Sequence, residues 1–96
     1  NHVDMDKLMD NLLNLSNESL NSFTHFIRDR YYLSYNMSDW IHETNDDIKP
    51  LEKLKEKVDE VIKTEKYIRK AAFMNLSKSL DGAIKRCKGD MHAKPF

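Results

Sequence analysis

Residues 50–88 read PLEKLKEKVDEVIKTEKYIRKAAFMNLSKSLDGAIKRCK. Within them Leu51, Leu54, Val58, Val61, Glu65, Ile68 and Ala72 fall at alternating spacings of three and four, and the pattern relaxes through Leu76, Leu80 and Ile84. Such spacing puts the apolar residues on one side of a 3.6-residue helix. Pro50 suits the first turn, where the N–H it lacks would have no intrahelical partner. The pattern predicts one long amphipathic helix over 50–88 whose core seam is Leu51, Leu54, Val58, Val61, Ile68 and Ala72. Gly89 is the expected stop, because Lys85, Arg86 and Lys88 complement the C-terminal dipole; Asp81-Gly82 is a weaker, earlier one. Glu65 interrupts the seam and is expected to reach solvent at its edge or to meet a base from another helix, Arg28 or Arg30.

Upstream, Met5, Leu8, Met9, Leu12 and Leu13 form one face of a first amphipathic stretch, and Leu20, Phe23, Phe26, Ile27 and Tyr31 resume at helical spacing. Residues 4–35 read as one helix or two. A turn at Asn17–Ser19 with Ser19 as cap would divide them, but no Gly or Pro punctuates the joint, which favours the continuous helix. Tyr35-Asn36-Met37 reads as a loop, and Ser38 caps a short helix over 38–48 carrying Trp40, Ile41, Thr44 and Ile48. A break is expected at Ile48–Lys49, because the residue before a proline is biased away from helical geometry. Residues 89–96 read as a tail.

The 96 residues make a single domain, with two Gly, two Pro and a high share of both apolar and charged residues. That composition excludes disorder and argues against a turn-rich all-β fold. The fold class is all-α: a small bundle of three to four helices with a long C-terminal amphipathic helix. A 30-residue helix would be about 45 Å long, too long for a compact globule of this mass, so either the first stretch divides or two chains pair into a dimeric bundle. Residues 1–48 carry nine acids against three bases, −6, and residues 49–96 carry thirteen bases against seven acids, +6. The two halves should attract, within one molecule or between two.

Motifs that carry chemistry are scarce. Cys87 is the only cysteine, which excludes an internal disulfide and a cysteine zinc site. His42 with Asp46, and Glu43 with Asp47, stand one helical turn apart, but this reads as an acidic, solvated helix end, and no metal is expected. No Ser, His and Asp set sits in a context that would expose a nucleophile, so the expectation is a non-catalytic domain without cofactor or small-molecule substrate. The basic residues Lys66, Arg69, Lys70, Lys78, Lys85, Arg86 and Lys88 are spread around the helix, which weighs against a nucleic-acid groove. Lys85-Arg86 near Ile84 is a thin membrane anchor, and no apolar run reaches the ~20 residues of a membrane span.

The aromatic residues Phe23, Phe26, Tyr31, Tyr32 and Trp40 are the candidate partner-binding set, since Phe23, Ile27 and Tyr31 define one face and Phe26, Arg30 and Tyr32 lie to its side. The expected function is therefore a helical protein–protein interaction or scaffold domain that engages a protein partner or a second copy of itself. The chain opens at Asn1 rather than Met, the pattern of an excised or processed piece, and its localisation is left open. Four N-x-Ser acceptors, at Asn14, Asn17, Asn36 and Asn75, exceed the roughly one expected by chance. They support an alternative, a secreted or surface-exposed glycosylated domain, with Asn36 in the Tyr35–Ser38 loop as the accessible acceptor and Asn14 and Asn75 on helices.

Overall fold

The computed structural model describes residues 5–32 and 45–90, with side chains over 7–31 and 46–90. It is a small all-α bundle: α1 (Met5–Leu13), α2 (Asn17–Tyr32), α3 (Ile48–Ile62), entered through a 3₁₀ turn at Asn45–Asp47, and α4 (Tyr67–Cys87), with no strand among the described residues.

Both N-terminal and C-terminal halves divide where a continuous helix was the expectation. Between α1 and α2 the chain turns at Asn14–Ser16. Ser16, rather than Ser19, caps α2: its hydroxyl accepts the Ser19 N–H at 3.1 Å and its carbonyl accepts the Leu20 N–H at 2.9 Å. Asn14 folds its side-chain amide back onto the Asp10 carbonyl at 3.0 Å, helping to close α1.

The expected 50–88 helix is likewise two helices. The last carbonyls of α3 are taken by a tight local turn, in which the Thr64 and Glu65 N–H groups and the Thr64 hydroxyl all donate to Val61. Lys66 is then extended and Tyr67 adopts φ +60°, the only positive φ outside glycine among the described residues. A left-handed bulky residue costs about 1–2 kcal/mol, and it redirects the chain without Gly or Pro. Consequently Ile68, placed by spacing in the seam, is 74% exposed. Val61 is only partly buried, while Leu51, Leu54, Val58 and Ala72 are buried. Glu65 meets neither Arg28 nor Arg30; it lies 3.8 Å from Arg69, one turn further along its own segment.

No break occurs at Ile48–Lys49, for α3 runs straight through Pro50. Pro50 sits in the first turn, where the missing N–H deprives no carbonyl, so its cost is small. The expected 38–48 helix lies mostly outside the described residues, as does the 91–96 part of the tail. At the other end α4 passes through Gly82 and stops at Gly89, φ +102°. The Gly89 N–H donates to Arg86 at 2.9 Å and the Asp90 N–H to Lys85 at 2.9 Å, the paired bonds of a Schellman terminus.

Pairings along α4 fix the topology. Arg69 meets Asn17, Ser79 meets the Thr24 carbonyl and Arg86 meets the Tyr31 carbonyl, so α2 and α4 run parallel. Ser77 meets Asp59 and Lys88 meets Glu52, so α3 and α4 form an antiparallel hairpin. Phe73, Leu76, Leu80 and Ala83 of α4 are fully buried between them, with Leu12, Leu20 and Val58 from the other three helices. Cys87 is buried in the last turn of α4.

Candidate functional site

A groove of about 860 Å³ lies between the C-terminal half of α2 and the first turns of α3, with Leu8 of α1 also in its lining. Its floor is Ile27, Leu51 and Leu54, and its α2 wall is Phe23 and Phe26. These two rings stack with centroids 6.2 Å apart; Phe23 is half-buried and Phe26 is 57% exposed. Leu20, Phe23, Ile27 and Tyr31 follow the inward stripe of α2, so Phe26 is left at its edge, on the lip. Lys49 and Lys53 stand along the α3 side.

One end of the groove is locked by a polar network. The Tyr31 hydroxyl donates to Asp47 Oδ2 at 2.7 Å, Arg30 Nη2 donates to the same oxygen at 3.2 Å, and Arg30 Nε donates to the Tyr31 oxygen at 3.1 Å. Burial, then the hydrogen bond to Asp47, pushes the Tyr31 phenol well above its ordinary range, so it remains a donor. Asp47 stands at the N-cap of α3 but makes no side-chain cap bond, because its carboxylate is turned to Tyr31 and Arg30. The network ties the end of α2 to the start of α3.

Of the five aromatic residues singled out from sequence, Phe23, Phe26 and Tyr31 come together here. Tyr31 does so as a buried strut rather than an exposed contact. Tyr32 closes α2, but its side chain lies outside the described residues, and Trp40 lies outside them altogether. Sequence reasoning missed Asp47, Lys49 and Lys53 as neighbours of these rings. Their only signal was the acidic and basic flanks of Pro50, which does not reveal that α3 starts beside the end of α2.

A second polar cluster joins α3 to α4. The Ser77 hydroxyl donates to Asp59 Oδ1 at 2.5 Å and Lys55 Nζ lies 2.7 Å from Asp59 Oδ2. Burial opposes ionisation of Asp59, but the hydrogen bonds from Lys55 and Ser77 outweigh it and hold the carboxyl below its ordinary value. Ser77 is buried and its hydroxyl donates a hydrogen bond to the carboxylate, which ties α4 to α3.

Arg69 is the third polar node. Its guanidinium donates to the carbonyls of Leu13 and Leu15, at 2.5 and 2.8 Å, and to the side-chain oxygen of Asn17 at 3.1 Å. It also lies over the Phe73 ring, 5.3 Å from the centroid. The α1–α2 turn is thus held by a residue more than fifty positions away. Among the basic residues read as scattered, Arg69 and Arg86 are joints between helices, Lys85 pairs with Asp81 and Lys88 with Glu52.

The acceptor asparagines also fall differently from expectation. Asn14 lies just past α1, exposed in the turn, rather than on a helix; Asn17 opens α2 with its amide oxygen on Arg69. Asn75 is exposed on α4 beside buried Ser77, and Asn36 lies outside the described residues. His42 and Glu43 lie outside them too, and no cluster of three metal-ligating side chains occurs among the described residues. No helix among the described residues is long and apolar enough to cross a membrane. No protein family, curated protein or solved structure matches this chain.

Proposed function

We propose that this chain is a non-catalytic helical interaction domain whose α2–α3 groove receives the apolar face of a helix from a partner protein. The exposure of Phe26 on the lip of an apolar groove carries the reading: a large ring left 57% in water beside Phe23, Ile27 and Leu54 is hydrophobic area that a partner helix would cover. The Tyr31–Asp47–Arg30 network supports it by fixing the end of α2 against the start of α3 in advance, which lowers the ordering cost of association. The test is a photo-crosslinking side chain at position 26 of the full chain, with the same group at exposed Glu56 as control. A defined helix captured from position 26 and absent from position 56 is the expected result. Sedimentation separates the alternatives, because self-association abolished by Phe26→Glu would assign the groove to a second copy. Identical capture from the two positions, with a monomer throughout, would overturn the reading.

A second reading, a glycosylated surface domain, is favoured by one observation: Asn14 of an Asn14-Leu15-Ser16 acceptor is exposed in a turn. Expression in a secretory host followed by glycosidase treatment should lower the mass, and Asn14→Gln should remove that change. An unchanged mass would eliminate it.

A further inference from the structure

The solvent face of α4's first three turns is an apolar strip. Tyr67, Ala71 and Met74 follow one another at spacings of four and three, with Ile68 beside them; Tyr67 is 89% exposed, Ile68 74% and Met74 40%. The opposite face of the same turns is buried through Ala72, Phe73 and Leu76, so this strip is a second apolar face and not a misplaced core. Ala71 at its centre leaves room for close approach of another backbone.

The unpaired charges around the strip have one sign, since Glu65, just before it, is paired with Arg69. Lys66 precedes it, Lys70 lies along one edge and Lys78 stands one turn beyond Met74, all exposed. None of the three has an ion-pair partner among the described residues, whereas Lys55, Lys63, Lys85 and Lys88 each have one. No carboxylate falls within the strip; the next along α4, Asp81, is held by Lys85 at 2.9 Å. Tyr67 adds an independent mark. It occupies the left-handed region, disfavoured for a bulky side chain, and its nearly full exposure gives it no packing to offset that strain.

From this pairing of an uncovered apolar strip with an unneutralised lysine border, we infer that the outer face of Tyr67–Lys78 docks an acidic amphipathic helix of a partner protein. Leucine-type side chains of that helix would cover Ile68, Ala71 and Met74, and its flanking carboxylates would meet Lys70 and Lys78. The surface is separate from the α2–α3 groove, on a different helix, and stands or falls independently of it.

The probe is a synthetic 18-residue helix with Leu at the i, i+3, i+4 and i+7 positions and Glu on the flanks, titrated into the isotope-labelled full chain. Amide shift changes confined to Tyr67–Lys78 are expected. A companion peptide with Lys in place of Glu should bind roughly tenfold more weakly or not at all, and the preference should shrink as salt is raised. Lys70→Glu with Lys78→Glu should reverse the preference, and Ile68→Ser should weaken both peptides. Circular dichroism of these variants should be unchanged, because every substituted side chain is exposed. Equal binding of both peptides, shifts centred on Phe26 and Leu54, or no shifts at all would overturn the inference. So would selective binding to phosphatidylserine vesicles or to a single-stranded oligonucleotide with no response to the Glu peptide, since either would assign the lysines to a different class of partner.

Discussion

Leu54 and Val58 on α3 lie against α4 and are almost wholly removed from water, whereas Ile68, on the next helix and in the same sequence stripe, stands 74% exposed. The two regions share apolar spacing and differ in the continuity of the backbone between them. Helical phase carries a buried face forward only while the backbone stays helical, and at the joint Lys66 is extended and Tyr67 is left-handed. Past that joint the inward positions are Ala72, Phe73, Leu76, Leu80 and Ala83, so the stripe returns to the core at Ala72 and Ile68 alone is left facing solvent. A hydrophobic periodicity therefore identifies a face, but only unbroken helix identifies which neighbour it meets.

The largest test of this contrast is a matched pair of charge insertions. Val58→Asp places a carboxylate at a position with no exposure and no base beside it in the core, which costs several kcal/mol against a total stability of about 5–15 kcal/mol. The variant should be unfolded or nearly so by circular dichroism at room temperature. Ile68→Asp should melt within about 0.5 kcal/mol of the parent. If the two lose comparable stability, Ile68 is packed like Val58 and the joint does not turn it out of the core.

The all-α class and the α3 core positions Leu51, Leu54 and Val58 were legible because they rest on period alone, as was the Gly89 stop, where a positive φ rewards glycine. Both interior joints were illegible for a common reason: neither uses Gly or Pro. The first turns on the Ser16 cap and on Arg69, whose contribution comes from the far end of the chain, and the second on a strained tyrosine. Of the candidate site, Phe23, Phe26 and Tyr31 were visible. Its Asp47 and Lys49 wall depends on the end of α2 meeting the start of α3, which no local pattern records.

Arg69 provides the next largest effect, and it breaks the comparison from the other side, since it anchors α4 just past the joint. Arg69→Met retains much of the stem's packing but leaves the Leu13 and Leu15 carbonyls without their donor, and should cost about 2 kcal/mol in urea denaturation. Lys in its place, a single ammonium instead of a fork, should recover less than half of that. Hydrogen exchange should quicken first around Leu15–Asn17. Uniform quickening across α3 and α4 would mean that Arg69 supports the hairpin rather than the α1–α2 turn.

A smaller, pH-dependent effect sharpens the α3–α4 contact itself. Asp59 has a folded-state value below its unfolded one, so its contribution is fully present above the ordinary carboxyl value of about 4 and is lost as pH falls through the lower folded value. The stability advantage of the parent over Asp59→Asn should therefore be constant from neutral pH down to about 5 and shrink below about 4. Ser77→Ala should reduce the same dependence, because its hydroxyl is one of the two donors that lower the value. A difference that grows on acidification would show that burial, and not the hydrogen bonds, governs this carboxyl.

The smallest effect has the opposite sign. Tyr67 sits at φ +60° with its ring almost entirely in water, so replacing it removes little buried area. Asparagine tolerates the left-handed region because its short amide can bond to nearby backbone, and its helix propensity is close to that of tyrosine. Tyr67→Asn should therefore stabilise the fold by about 1 kcal/mol, raising the melting temperature by roughly 4–8 °C for a domain of this size. Ile68→Asn, at a residue with ordinary backbone geometry and similar exposure, should give no such gain and serves as the control. A rise confined to position 67 would locate the strain at the joint between α3 and α4. A fall would mean that the tyrosine ring makes a stabilising contact, and that the exposed end of α4 is held by packing instead of by backbone conformation.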